Sequence, residues 1–217
     1  MKVGASILSA RFSHLADEVK KAEESGVDFL HFDVMDGSIT NTITFGPILI
    51  KSLRKLSCLP FDIHCYLLDP VRYIEPLINA GADSITIHVE ALGKIIWALD
   101  LIKKYGVKAG IALLPETPPV SISQVLDMVD SVTVVTVDVM KSNSWEFIPV
   151  MVKKIKEVHE LIDKKILKIE LKVDGGINLG NAQKVITAGA HSLIVGNALF
   201  NSNDMKETVK LLKGSNC

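Results

Sequence analysis

His31 and Asp33 stand two apart near the end of one apolar run, His64 near the end of the next, and Asp174 closes a run far later in the chain. Two imidazoles and two carboxylates are a donor set for a divalent cation, and carboxylates beside such an ion can also move protons. In His31-Phe32-Asp33-Val34-Met35-Asp36-Gly37, strand alternation puts His31, Asp33 and Met35 on one face. In Phe61-Asp62-Ile63-His64-Cys65-Tyr66 it does the same for Asp62, His64 and Tyr66. Each pair alone also fits a hydrogen-bonded core pair, because buried polar groups find partners. Two such histidines on consecutive runs, at the same end, favour the metal site.

A second chemistry is written in glycine. Val173-Asp174-Gly175-Gly176-Ile177-Asn178 and Val195-Gly196-Asn197 end apolar runs in residues that let backbone N–H groups approach a ligand closely, and phosphate is the natural ligand. The other polar candidates have plainer readings. His14, His159 and His191 read as solvated, His88 as an interior residue that supports the site without ligating, and Cys65, which alternates away from His64, as packing.

The elements that must position these residues are eight strand-length runs: Val3 to Leu8, Phe29 to Met35, Phe61 to Leu67, Ser84 to Val89, Lys108 to Leu114, Val132 to Val137, Ile169 to Val173 and Ser192 to Val195. Their near-continuous apolar character suits parallel strands covered on both faces. Segments of helical period lie between them at His14 to Glu24, Pro70 to Asn79, Leu92 to Tyr105, Ile148 to Ile162 and Asn181 to Thr187. The helix-to-strand junction echoes itself, as Ser-Gly-Val-Asp-Phe-Leu-His from Ser25, Ala-Gly-Ala-Asp-Ser-Ile-Thr from Ala80 and Ala-Gly-Ala-His-Ser-Leu-Ile from Ala188, with a glycine placed to end each helix. Eight βα units of about 27 residues predict a (β/α)8 barrel in one domain, residues 1–217, over the competing doubly wound open sheet, because polar residues gather at several different strand ends.

Composition narrows the partners. The 217 residues are 48% hydrophobic, and 24 basic against 25 acidic residues give a net charge of −1 without long like-charge blocks. That pattern leaves no electrostatic footprint for nucleic acid or an anionic membrane and points to a small molecule. Cys58, Cys65 and Cys217, odd in number and irregular in spacing, argue for a reducing compartment. Polar residues from Arg11 onward follow Met1 to Ala10 too soon for a signal peptide, and no run has the ~18 to 20 apolar residues of a membrane span, so a cytoplasmic location is expected.

Taken together, Gly4-Ala5-Ser6-Ile7-Leu8-Ser9, His31 to Gly37, Asn41-Thr42-Ile43-Thr44-Phe45-Gly46, His64, His88-Val89-Glu90 and Val173 to Ile177 resemble ribulose-phosphate 3-epimerase and its relatives over nearly the whole chain. The resemblance implies a (β/α)8 barrel and one divalent metal ion, zinc, iron, manganese or cobalt, ligated by His31, Asp33, His64 and Asp174. It implies that Asp33 and Asp174 are the acid/base pair that inverts C3 of a ketose phosphate through an enediolate, that Ser6 hydrogen-bonds in the site and that Met35 walls it. It further suggests a homo-oligomer, a dimer or larger.

The departures from the family pattern are equally specific. The family's glycine-rich Asn-Pro-Gly-Phe-Gly-Gly-Gln after the sixth strand is replaced by Asp138 to Glu146, so phosphate contacts fall to Gly175, Gly176, Gly196 and Asn197, with Lys141 and the Ser142 and Ser144 hydroxyls as substitutes. Tyr66 and Val135 stand where the family has methionines, and Ser38-Ile39-Thr40-Asn41 replaces His-Phe-Val-Pro. Leu114-Pro115-Glu116-Thr117-Pro118 is closer to the allulose-6-phosphate 3-epimerase type, so a pentulose and a hexulose phosphate are both candidate substrates. The sugar-phosphate and orotidine decarboxylases use Asp-x-Lys-x-x-Asp, but here His31-x-Asp33-x-x-Asp36 lacks the lysine. A non-catalytic sugar-phosphate-binding barrel is the remaining alternative.

Overall fold

The eight apolar runs become eight strands: β1 (Lys2–Ser6), β2 (Phe29–Met35), β3 (Phe61–Tyr66), β4 (Ser84–His88), β5 (Lys108–Leu113), β6 (Ser131–Val135), β7 (Glu170–Asp174) and β8 (Ser192–Val195). In the computed structural model, which describes residues 1–141, 145–166 and 168–214, they pair in parallel in chain order and β8 closes on β1. The expected barrel is therefore present.

Alternation along each strand divides two environments. Leu30, Phe32 and Val34 of β2, Phe61, Ile63 and Cys65 of β3, and Leu171 and Val173 of β7 point outward into the main apolar core between strands and helices. Each fully buried leucine, isoleucine or phenylalanine there contributes roughly 1.5–3 kcal/mol. Residues of the opposite parity fill the barrel, and they are largely polar: His31, Asp33, Asp62, His64, Thr86, His88, Thr133, Lys172 and Asp174 are all buried. The strands are covered on both faces, as expected, but only the outer face is apolar.

The covering helices are α1 (Leu15–Glu24), α2 (Pro47–Arg54), α3 (Val71–Asn79), α4 (Ile95–Lys104), α5 (Met151–Lys164), α6 (Ala182–Thr187), α7 (Asn197–Phe200) and α8 (Met205–Gly214). Helix α2, with proline at its first turn, buries only Ile50 and Leu53 and is too short to show a helical period in the sequence. The β5–β6 connection has two short 3-10 turns, Pro119–Ile122 and Leu126–Met128, in place of an α-helix. Pro115, Pro118 and Pro119 lack the N–H groups an α-helix needs there. Two boundaries shape the upper end of the barrel: β1 ends at Ser6 with Ile7–Ser9 in a 3-10 turn, and β7 runs one residue further than expected, carrying Asp174 inside the sheet.

The echoed junctions are clamps. The Asp28 carboxylate accepts Val3 N–H at 2.7 Å while Asp28 N–H donates to Val3 O at 2.8 Å. Asp83 does the same to Phe61 (2.7 and 2.9 Å) and Asp130 to Ala109 (2.8 and 2.7 Å). His191 completes the set, its Nδ1 accepting Leu171 N–H at 2.9 Å and its own N–H donating to Leu171 O at 2.8 Å. One residue ahead of each even strand thus grips the odd strand before it, four times around the barrel. His191 is therefore not simply solvated as expected, and His159, half-buried beside it, packs its ring against the His191 ring at 6.1 Å. Among the described residues no helix is long and apolar enough to cross a membrane.

Candidate functional site

The registers of β2 and β3 set Asp33 beside His64 and His31 beside Asp62, while β1 sets Ser6 beside His31. All four candidate ligands point into the barrel near its C-terminal end, where barrels of this kind carry their chemistry. One donor atom from each of His31, Asp33, His64 and Asp174 lies within 4.8 Å of the others. His31 Nε2 is 3.2 Å from Asp33 Oδ1 and 3.7 Å from Asp174 Oδ2. His64 Nδ1 is 3.6 Å from Asp33 Oδ1 and 3.1 Å from Asp174 Oδ2. Ligands at ~2.0–2.2 Å from one ion sit roughly 3–4 Å apart. The four residues therefore fit a divalent cation in spacing, donor type and burial.

The electrostatics agree. Burial opposes a charged His31 imidazole, but Asp33, reinforced by hydrogen bonds to Asp174, Asp33 and Asp62, outweighs that and raises its pKa well above the ordinary value. Burial likewise acts against the Asp174 carboxylate, yet hydrogen bonds from His31 and His64 hold its pKa below the usual range. Two carboxylates facing each other in a closed space favour a positive partner between them, and His31 Nε2 lies within 3.7 Å of both.

Each histidine is oriented from behind. His31 Nδ1 meets Asp62 Oδ2 at 2.8 Å, and Asp62 Oδ1 takes the Lys172 ammonium at 2.7 Å and the Ser84 hydroxyl. His64 Nε2 is 3.0 Å from His88 Nε2, and His88 Nδ1 is 3.0 Å from Glu90 Oε2. Burial pushes the His88 pKa down to about 4, so this ring is a neutral relay that passes one N–H to Glu90. His88 lies in the interior behind the candidate ligands. Ser6 Oγ–H donates to Asp33 Oδ2 at 2.9 Å, and the Tyr66 hydroxyl stands 3.4 Å from Asp174 Oδ2.

Over this cluster lies a cavity of about 430 Å³, a size suited to a small phosphorylated metabolite. Ser6, Asp33, Met35, Tyr66 and Asp174 form its floor and side, with Gly175, Gly176, Gly196 and Asn197 around the rim. Met35 and Tyr66 belong to a separate apolar cluster with Val135, Val137 and Val139, against which Trp145 packs. Gly176 is held at a φ of +67°, and a Cβ there would strike the backbone of Phe147, so glycine is what lets the β7 loop lie against the β6 loop. Asn41 Nδ2 donates to Met140 O at 2.9 Å, joining the β2 and β6 loops.

Lys141 is not among the cavity's lining residues. Its side chain is 70% exposed and its ammonium is 3.8 Å from Asp138, which draws it along the loop surface. Ser142 and Ser144 lie outside the described residues. The sequence pattern assigned no role to Lys172 or to the pairing of Asp62 with His31; the one signal available was parity, since Lys172 stands two residues before Asp174 on the same face.

Against this geometry, a model of the ribulose-phosphate 3 epimerase family matches residues 2–200. A ribulose-phosphate 3-epimerase from Bacillus subtilis (strain 168) is 40% identical over 216 residues, covering 99% of each chain. One from Methanocaldococcus jannaschii is 40% identical over 98% of this chain and 90% of its own length. Among solved structures, 3-hexulose-6-phosphate synthase from Salmonella typhimurium superposes with a TM-score of 0.75 at 16% identity, covering 99% of this chain and 98% of that one, a likeness of fold alone.

Proposed function

The chain belongs to the ribulose-phosphate 3-epimerase family, and from that premise we propose that it interconverts ribulose 5-phosphate and xylulose 5-phosphate by inverting C3. The protein is an isomerase. The observation that carries the specific reading is the convergence of Asp33 and Asp174 on one buried point with His31 and His64, beneath a cavity rimmed by the β7 and β8 loops.

A C3 proton next to a C2 carbonyl is too weakly acidic to leave unaided, and inversion needs a base on each side of the carbon. Asp33 and Asp174 are that pair: one carboxylate takes the proton from one face and the other returns a proton to the opposite face. Ser6 holds Asp33 Oδ2, and Oδ1 faces His31 and His64 in the cluster beneath the cavity. His31, Asp33, His64 and Asp174 would hold the metal ion, zinc, iron, manganese or cobalt, which would supply electrophilic stabilisation of the charge developing on the substrate's oxygens. Met35, Tyr66 and Trp145 form the wall that excludes water from the enediolate. Gly175, Gly176, Gly196 and Asn197 take the phosphate at the rim. A cytoplasmic location and a homodimer or larger assembly complete the reading; the unpaired Cys58 and Cys65 support the first.

The segment Leu114 to Pro118, which resembles the allulose-6-phosphate type, is held by the Lys154 ammonium on three of its carbonyls and does not line the cavity. That segment gives no support for the hexulose phosphate, and the family's pentulose phosphate is the substrate we propose. NMR in D2O with metal-quantified protein, offered ribulose 5-phosphate and allulose 6-phosphate in parallel, tests this directly. Deuterium at C3 with formation of xylulose 5-phosphate is the expected result; metal-loaded protein that exchanges neither sugar would overturn the assignment.

A further inference from the structure

The strangest charge in the barrel is Lys172. Its side chain is 5% exposed, and it lies between the site and a second cavity of about 520 Å³ at the opposite, N-terminal mouth. That cavity is the larger of the two, but its acidic residues Asp28, Asp83 and Asp130 are already spent on the strand clamps, and Glu170 on Lys2 and the Ser192 hydroxyl. What remains is the line Lys172–Asp62–His31, with contacts of 2.7 and 2.8 Å, running up the barrel axis into the ligand cluster.

We propose that Lys172 is a positioning residue that, acting through Asp62, fixes the His31 ring with Nδ1 as donor and Nε2 as the free lone pair facing the metal site. The inference rests on the proposed metal site and adds a residue to it. An ammonium has three donors and no acceptor, and the Ser84 hydroxyl also donates to the same Asp62 oxygen. Asp62 is thereby held as a pure acceptor, and its other oxygen, turned to His31, can be satisfied only by an N–H. The imidazole has one N–H when it ligates, so that N–H is committed to Nδ1 and the lone pair to Nε2. Rotation of the ring is also blocked, because His31 is itself 1% exposed and its edge meets the His64 ring 5.5 Å away.

The test is Zn²⁺ affinity by chelator competition on the full chain, for wild type, Lys172→Met, Asp62→Asn and the double variant. Removing a group that orients a metal-bound histidine weakens metal binding by ~10- to 100-fold, so Lys172→Met is expected to lose at least about 10-fold. Asp62→Asn alone should lose a similar factor, because the lysine claims the amide oxygen and turns the amide N–H groups toward His31. The double variant frees the amide to turn its oxygen back, and it should bind Zn²⁺ more tightly than either single variant. It also removes the buried charge pair as a unit, so it stays informative if a single variant fails to fold. In the Zn²⁺-loaded proteins, ring ¹⁵N shifts of His31 should report Nδ1–H in the wild type and the double variant and a displaced ring in Lys172→Met. Unchanged affinity and shifts in Lys172→Met, or additive losses in the double variant, would overturn the proposal. Wild-type protein that takes up no Zn²⁺ would instead sink the metal site, and this inference with it.

Discussion

At the scale of single residues, the grouping of His31, Asp33 and His64 was legible because strand alternation puts His31 and Asp33 on one face and the register sets His64 beside Asp33, while barrel closure adds Asp174 from β7. The partners behind the ligands were not legible. Asp62 and Lys172 are 110 residues apart, and only the closure of the barrel brings them together. Lys141, a phosphate ligand by residue type, stands exposed beside Asp138 and outside the cavity lining. The two-carboxylate mechanism makes Asp174→Asn a sharp probe. It should lower C3 inversion by at least ~10²- to 10⁴-fold while the far-UV spectrum stays native, and near-normal turnover would sink the mechanism. His64→Ala, which removes a ligand and unseats the His88–Glu90 relay, should lower bound metal per chain by elemental analysis; full occupancy would remove His64 from the set.

At the scale of elements, the echo in three junctions was visible in the sequence, and its purpose was not. The motif ends a helix with glycine and begins a strand, which any βα unit requires; the side-chain grip on the preceding strand appears only in the pairing. The fourth clamp, Asp130, comes after a 3-10 turn without the Ala-Gly signature and so left no echo. Asp130→Ala should cost about 1–2 kcal/mol in urea unfolding, since it leaves the Ala109 N–H without its charged acceptor. The His191 clamp works only with an unprotonated Nδ1, and burial, then the neighbouring His159, lowers its pKa. The folded state thus binds this proton less readily than the unfolded chain. The clamp's stabilisation is complete above the ordinary imidazole pKa of ~6.5 and declines as pH falls through it. His191→Asp should therefore gain on wild type in urea midpoint between pH 7.5 and 5.5; a constant difference would show that His191 does not titrate against the fold.

For the molecule as a whole, a barrel of eight parallel strands was foreseeable from eight apolar runs separated by helices, while the full extent of the polar interior, with Thr86, Thr133 and Lys172 beside the histidines and aspartates, was masked by the apolar outer parity of the same strands. That interior couples ligand to fold. With two carboxylates facing one another in a buried space, removing the cation should be felt globally. Dialysis against a chelator should lower the thermal midpoint by roughly 5–10 °C, the shift expected when a ligand present at about 100 times its Kd is lost from a domain of this size. An unchanged midpoint would show that the four donors hold no ion in solution.

The fourfold grip has one more consequence, for the order in which the elements can be strung together. Every clamp lies inside an odd–even strand pair, and none crosses from an even strand to the next odd one. Strand β8 pairs with β1, and Lys213 of α8, the last described helix, reaches Asp28 ahead of β2 at 2.8 Å. The barrel is thus built as four quarters held by the same kind of grip. A circular permutant opened at the exposed Tyr105–Gly106 turn keeps both halves of every clamp in one continuous segment and should fold to the same barrel, whereas one opened between Ala109 and Asp130 sends the halves of that clamp to opposite ends of the chain and should have a lower urea midpoint.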